Sequence, residues 1–343
     1  QPGEDSRYLL YSLVVVIVGG LGSVPGAALG ALLVGLIDNI AAYLVPTWSS
    51  LVTFGLLVVV LVVRPQGLLG RGGERQGEGA LPESRGIPVP PRVAAAAGVA
   101  VLLVGVALPF VATEYVLNQV VTQALWLGVA ALSLVFLAGT VGMVSLAQTA
   151  VSGVAGYVVA NLTVVQGADP WLAAGAGVLA AVLFSVLVGA VAARSRGVYL
   201  LMLTLAVGVF AYYFALQFRP FTRGFGGISG VPAPTLFGLD LGAPLWLYYA
   251  TLVVAVAVYL GLRHLRRAPL GLALQGVRDS DRRMRALGYS VTGLRIVAFA
   301  VAGLVAGVAG VLAVWYNGQI SPGSIDLQRT IDLLVIAVIG GLY

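Results

Sequence analysis

The sequence contains no cysteine, no lysine and a single histidine, His264. The absence of cysteine excludes disulfide bonds and thiolate metal sites, and one histidine argues against a histidine-based metal site. Charged residues are also scarce, at 9% of the 343 residues, whereas soluble domains carry about a quarter. There is no Ser-His-Asp set, no pair of catalytic carboxylates and no phosphate-binding loop, because the glycine-rich stretches lack the required Lys. We therefore expect neither an enzyme nor a cofactor.

Apolar sequence is abundant instead. Hydrophobic residues make up 59% of the chain, and several apolar runs reach the roughly 20 residues that a helix needs to cross a bilayer. We predict an all-α, polytopic membrane protein.

The positive charge is concentrated in one polar segment, residues 263–295. This segment holds eight of the nineteen arginines and connects two apolar runs, 246–262 and 296–316. Because positively charged loops stay in the cytoplasm, we place the segment there. The arginines therefore indicate topology and not a nucleic-acid-binding surface.

The same segment carries helix signals. Pro269 suits the first position of a helix, and apolar residues around Leu274 recur at spacings of four and three. Asp279 or Ser280 can cap a second short helix, which Gly288 would end in a left-handed conformation. A bare topogenic loop would need no apolar helix face. We therefore predict a helix, a break and a second helix, with a cytosolic protein as partner.

Residues 271–312, GLALQGVRDSDRRMRALGYSVTGLRIVAFAVAGLVAGVAGVL, resemble the coupling loop and following span of ABC-importer permeases for branched-chain amino acids and related substrates such as urea. The resemblance implies an ABC-importer transmembrane domain with broken or re-entrant glycine-rich helices. It also implies ABC ATPase subunits and an extracytoplasmic substrate-binding protein as partners, besides a small-molecule substrate and the lipid bilayer. Leu274 and Leu287 are predicted to enter a groove on the ATPase. The residues assigned to the ATPase-coupling loop are Gly271, Leu274, Arg278, Asp279, Arg285, Leu287 and Gly288.

Another stretch, TVGMVSLAQTAVSGVAGY, also resembles the family. Relatives commonly carry His in place of Gln148 and Gln in place of Met143, so these departures suggest a different substrate. Glycines spaced by four, such as Gly22 and Gly26, equally fit helix packing alone. The residues assigned to a possible substrate pathway are Gly19, Gly20, Gly22, Ser145, Gln148, Gly340 and Gly341.

The chain is predicted to consist of two unequal parts. RPQGLLG and GGLGSVPGAALGALLVGLIDN resemble the C-terminal region of one permease subunit. We therefore expect residues 1–71 to be the end of a first permease-like half, 72–92 a flexible cytoplasmic linker, and 93–343 a second half, incomplete at its C-terminus. Residues 332–342 also repeat the character of 12–21, as expected for a parallel repeat. We expect a fusion of two subunit types, truncated at both ends.

The expected function is that of a permease component, in the bacterial inner membrane, of an ATP-driven importer for branched-chain amino acids or similar small amphiphilic solutes. Two alternatives stay open: an importer for urea or short amides, and an ion-coupled secondary transporter or channel. The second requires ionisable residues within the membrane. Asp38 and Asp332 are the acids that lie near apolar runs.

Overall fold

The computed structural model describes residues 4–20, 23–64, 66–69, 91–195, 197–236 and 238–341. Eight helices in this part are long and apolar enough to cross a membrane, which confirms the all-α polytopic fold. The helices are α1 (Glu4–Gly19), α2 (Val24–Leu44), α3 (Ser49–Val63), α4 (Pro91–Val111), α5 (Val116–Val141), α6 (Gln148–Val165), α7 (Pro170–Ala192), α8 (Val198–Gln217), α9 (Arg219–Thr222), α10 (Pro244–Arg267), α11 (Pro269–Asp279), α12 (Asp281–Ala286), α13 (Val291–Asn317) and α14 (Leu327–Ile339).

Short antiparallel strand pairs lie between some helices of the second part. They are β1 (Ile228–Ser229) with β4 (Gln319–Ile320), and β2 (Thr235–Leu236) with β3 (Leu239–Asp240). The pairing of β1 with β4 fastens the loop after α9 to the segment that follows α13. Most of the predicted linker, residues 72–90, lies outside the described residues; Pro91 begins α4.

The helices α1 and α2 form a tight pair because glycines face each other at their crossing. A Cβ atom on Gly19 would lie 2.2 Å from the carbonyl oxygen of Gly26, and one on Gly30 would lie 2.5 Å from that of Val15. The small-residue face predicted for α2 is therefore confirmed at Gly26 and Gly30, since only glycine permits this approach. Gly22 lies outside the described residues.

The helix α13 is the centre of the second part, and glycines allow its neighbours to touch its backbone. A Cβ on Gly303 would lie 2.4 Å from Cβ of Ser185 in α7, and one on Gly310 would lie 2.0 Å from the carbonyl oxygen of Ser152 in α6. Ser185 also donates a hydrogen bond of 2.6 Å to the carbonyl of Phe299. These contacts show that the small residues of α13 form a packing face.

The run of residues 139–164 carries no charge or proline but does not form one continuous span. The preceding helix α5 continues to Val141, Gly142 adopts a left-handed conformation (φ 72°), and α6 begins only at Gln148. Ser152 of α6 faces Gly310 of α13. Gln148, four residues before Ser152, is therefore level with residue 306, four residues before Gly310, at about 22 Å along α13 from its first residue. Thus α6 begins near the middle of the membrane, and residues 142–147 lead to it as a non-helical segment.

The helix α14 is a single, continuous helix of 13 residues. After α13 the chain turns back along α6, with Ile320 against Gly156 and Ile325 against Gly153. Thr149 of α6 and Thr330 of α14 then share a hydrogen bond of 2.6 Å between their hydroxyl oxygens. The broken, glycine-rich helix that the family resemblance implied is therefore present at α6, whereas α14 contains no glycine.

The first part packs on the second through α3 and α8. The ring of Phe54 stacks on that of Tyr213, with centroids 4.5 Å apart and planes inclined by 13°. Phe54 is completely buried and belongs to a core that also includes Leu203 of α8. One apolar core thus joins the two parts.

Candidate coupling loop and solute pathway

The polar segment 263–295 folds as a helix, a break and a helix, as predicted. Pro269 occupies the first turn of α11, and Ser280 caps α12 by accepting a hydrogen bond of 3.4 Å from the backbone N–H of Arg283. Gly288 has a φ of 85° and follows the end of α12. The preceding helix α10 continues to Arg267, beyond the apolar run. We call residues 269–289, which comprise α11, α12 and the turn after them, the coupling loop, after the role that the sequence predicted for them.

The prediction that Leu274 enters a groove on a partner is wrong. Leu274 is 0% exposed and belongs to the same core as Val277, Met284 and Val141 of α5. The apolar stripe of α11 therefore covers the cytoplasmic end of the protein's own helices. Gly271 permits this packing, because a Cβ there would lie 2.0 Å from the carbonyl oxygen of Leu265 in α10.

A different set of apolar side chains points away from the protein. Leu287 is 72% exposed, Leu272 59% and Tyr289 50%, and arginines such as Arg285 are exposed beside them. Leu287 and Arg285, which the sequence assigned to the surface that binds a partner, are thus exposed. Leu272 and Tyr289 were missed, although Leu272 lies on the opposite face of α11 from Leu274, as its spacing of two requires.

Arg278 connects the coupling loop to the break between α5 and α6. Its Nη1 donates a hydrogen bond of 2.6 Å to the carbonyl oxygen of Gly139, in the π-helical end of α5. The side chain also covers Gly142, where a Cβ would lie 2.8 Å from Cγ of Arg278. Asp279 is exposed and accepts a hydrogen bond of 3.2 Å from Nε of Arg278. The loop therefore touches the start of the non-helical segment directly.

A buried ion pair holds α12 in place. Nη2 of Arg295 in α13 lies 2.7 Å from Oδ2 of Asp281, and its Nη1 donates a hydrogen bond of 3.0 Å to the carbonyl oxygen of Ala193. Arg295 therefore joins the coupling loop to α13 and to the end of α7. The sequence indicated helix ends here but not this pairing.

Ser145 and Gln148 are buried at the break before α6. Oγ of Ser145 accepts a hydrogen bond of 3.3 Å from the backbone N–H of Ala147. Oε1 of Gln148 accepts one of 3.4 Å from the hydroxyl of Ser133. Within the described part of the chain, the Gln148 amide nitrogen and the Thr140 hydroxyl have no hydrogen-bond partner. Two of the predicted pathway residues therefore lie together, among polar atoms that the protein leaves unpaired.

The predicted pathway glycines are placed elsewhere. Gly19 and Gly20 contact α2 and residues 67–69, and the carbonyl of Gly19 accepts a hydrogen bond of 3.1 Å from the N–H of Leu69. Gly340 and Gly341 follow α14 and are exposed. Gly20 and Gly341 share a left-handed conformation after their helices, with φ of 105° and 92°. The described contacts do not bring either pair to Ser145 or Gln148.

Two acids lie within apolar helices. Asp38 of α2 accepts hydrogen bonds from the Tyr11 hydroxyl at 3.1 Å and from the Thr53 hydroxyl at 2.9 Å, so it ties α1, α2 and α3 together. Asp332 accepts a hydrogen bond of 3.2 Å from Gln328 one turn earlier in α14. The cap of α14 is Asp326. The residues described include no group of three or more His, Cys, Asp and Glu side chains that could hold a metal ion.

Comparison with known proteins gives consistent matches. The profile of a family described as branched-chain amino acid transport system / permease component matches residues 1–61 and 116–343. The high-affinity branched-chain amino acid transport system permease protein LivM of Escherichia coli K12 is 27% identical over 267 residues, which cover 71% of this chain and 63% of LivM. LivM of Salmonella typhimurium is 31% identical over 172 residues, 43% of this chain and 40% of the relative.

A second type of permease protein matches a short part of the chain. The protein LivH of the same Escherichia coli strain, of the same transport system, is 41% identical over 61 residues, 18% of this chain and 20% of LivH. The chain thus spans less than two thirds of the length of these relatives. No solved structure matches it. With a profile that covers most of its length, the chain belongs to the family of branched-chain amino acid transport permease components and is a multi-pass protein of the bacterial inner membrane.

Proposed function

We propose that this chain is the permease of an ATP-driven importer and that separate ABC ATPase subunits bind the exposed face of the coupling loop. The hydrogen bond from Arg278 to Gly139 carries this proposal. This hydrogen bond joins α11, which has exposed apolar side chains suited to a protein partner, to the break between α5 and α6 inside the membrane. A loop that served topology alone would need neither contact.

The contacts suggest how motion passes from the ATPase to the membrane. A displacement of α11 acts on Gly139 through Arg278, and residues 142–147 then transmit it to the start of α6. The buried pair of Arg295 and Asp281 makes α12 move together with α13. ATP hydrolysis takes place on the separate subunits, so this chain acts as the transport subunit.

Similarity to LivM and LivH supports branched-chain amino acids as the solutes, delivered by an extracytoplasmic substrate-binding protein. Gln148 and Met143, which depart from the family pattern, keep urea and short amides as the alternative. We also propose that residues 1–71 and 93–343 belong to two permease-like halves joined by the linker 72–92. The two separate stretches that match one family profile support this division.

An ion-coupled transporter is the second candidate, because Asp38 places a half-buried carboxylate inside a membrane helix. Its hydrogen bonds to Tyr11 and Thr53 also give it a packing role between three helices. Helix packing alone explains the hydrogen bonds of Asp38. An ion-coupled mechanism does not explain why the coupling loop exposes apolar side chains.

The energy source of uptake distinguishes the two candidates. Right-side-out vesicles from cells that express this chain with its transport partners are loaded with ATP and given labelled leucine. We expect uptake to continue when ionophores collapse the proton and sodium gradients and to stop when vanadate blocks the ATPases. Uptake that needs a gradient and ignores vanadate would favour the ion-coupled transporter.

A further inference from the structure

A cavity of about 320 Å³ lies between α5, α6, α13 and α14. Its size is within the range of pockets that hold small molecules. Its walls include the early part of α5 and the last turns of α13, both of which lie toward the side predicted to be external. Its lining is mixed: Gln123 and Asn317 are polar, and Trp126 and Leu333 are apolar.

Arg329 is the one charged residue among those described around this cavity. It lies in the first turn of α14, where its backbone N–H donates a hydrogen bond of 2.9 Å to Oδ1 of Asp326. Asp326 thus caps the helix, and the guanidinium of Arg329 forms no ion pair within the described ranges. Arg329 is exposed to solvent and also lines the cavity. A guanidinium beside an otherwise uncharged cavity is suited to a carboxylate, which it binds through paired hydrogen bonds.

We call the contact between Thr149 of α6 and Thr330 of α14 the floor of the cavity. Thr149 lines the cavity, both Thr149 and Thr330 are buried, and their hydroxyls share one hydrogen bond. The residue before Thr149 is Gln148, and its amide nitrogen has no hydrogen-bond partner within the described part. Unpaired buried donors are costly, and a passing polar solute would satisfy them. The floor of the cavity therefore lies next in sequence to a buried, unpaired donor.

The apolar part of the lining gives the cavity a preference for amphiphilic ligands. The indole of Trp126 lines it, together with the aliphatic side chains of Leu127 and Leu333. The indole N–H of Trp126 is buried and has no acceptor among the residues described. A ligand with a charged end and a short hydrocarbon end would match this mixed lining.

We propose that this cavity is a binding site for a small carboxylate solute. Arg329 binds the carboxylate, Trp126 and Leu333 contact the hydrocarbon part, and the Thr149–Thr330 contact is the floor that opens for passage. The passage step rests on the proposed function, whereas binding does not. Because recognition depends on Arg329, neutral solutes such as urea and amides would be discriminated against at this site.

The fluorescence of Trp126 reports on binding directly. The full chain in lipid nanodiscs is titrated with leucine, with 4-methylpentanoate, which keeps the carboxylate and side chain, and with leucinamide, which lacks the carboxylate. We expect saturable changes with the first two and at least tenfold weaker binding of leucinamide. Trp126→Phe should remove the signal. Arg329→Gln should raise the Kd for leucine tenfold or more, and Arg329→Lys should retain more affinity than Arg329→Gln.

Arg223→Gln is the matched control, because Arg223 is an exposed arginine on the same predicted side and does not line the cavity. Its Kd should equal that of the wild type. Equal binding of leucinamide and leucine, an unchanged Kd in Arg329→Gln, or no saturable binding by the wild type would each overturn the site. The titration contains no ATPase, so charge-selective binding together with ATP-independent uptake would overturn only the proposed function.

Discussion

Replacing Arg295 by methionine should detach the coupling loop from the membrane helices. The side chains of Arg295 and Asp281 are only 9% and 8% exposed, and their charged atoms lie 2.7 Å apart. Methionine fills much of the same volume but removes the charge, so the buried Asp281 carboxylate loses its ion pair with Arg295. Breaking a buried pair in this way costs about 3 to 5 kcal/mol. The carbonyl of Ala193 also loses its donor.

The double variant Asp281→Leu with Arg295→Met provides the decisive comparison. It removes both charges, and replacement of a buried pair by apolar residues is often close to neutral. We therefore expect it to recover about 2 kcal/mol or more of the loss caused by Arg295→Met. Asp279→Asn is the control, because its pair with Arg278 is exposed and contributes about 0 to 1 kcal/mol.

The assay is unfolding of the purified chain from mild detergent into dodecyl sulfate, followed by circular dichroism, with a thermodynamic cycle over the two single variants and the double variant. Retention of the ATPase during purification is measured in parallel and should fall in Arg295→Met. A loss below about 1 kcal/mol in Arg295→Met, as expected for an exposed pair, would refute the reasoning. A double variant less stable than Arg295→Met would do the same.

Two further pairs of variants test the packing. Leu274→Ala should lower the free energy of unfolding by about 2 to 5 kcal/mol. Leu287→Ala should leave the free energy of unfolding unchanged and weaken co-purification of the ATPase. The reverse pattern would restore Leu274 as the docking residue. Gly310→Ala should destabilise the fold, because its Cβ would lie 2.0 Å from the Ser152 carbonyl oxygen. A Cβ on Gly175 would meet no atom within 4 Å, so Gly175→Ala should stabilise α7 by about 0.5 to 1 kcal/mol. Equal effects of Gly310→Ala and Gly175→Ala on the free energy of unfolding would contradict the close α6–α13 packing.

The sequence predicted the helices and the coupling loop well because their signals are local. Apolar runs long enough for a bilayer, Pro269 at a helix start and Gly288 at a helix end each depend on neighbouring residues alone. The start of α6 cannot be read from the sequence, since no charged residue and no proline interrupts residues 139–164; in the structure the left-handed Gly142 marks the break.

The contacts that define the candidate site depend on distant residues. A helical period shows that Leu274 belongs to an apolar face, but not whether this face covers the protein itself or a partner. Arg278 finds its acceptor at Gly139, and Thr149 meets Thr330 almost two hundred residues later. Such pairs follow from the packing of α5, α6 and α14, which local patterns do not contain.

The most direct test of the account is the coupling ratio of Arg278→Leu, the number of solute molecules imported per ATP hydrolysed in vesicles with the full set of transport partners. Arg285→Leu is the control, because Arg285 is exposed on the same loop and makes no described contact with α5. We predict that Arg278→Leu keeps the ATPase bound and hydrolysing ATP but lowers the coupling ratio at least tenfold, while Arg285→Leu leaves the ratio unchanged. A normal coupling ratio in Arg278→Leu would contradict the transmission of motion through Gly139.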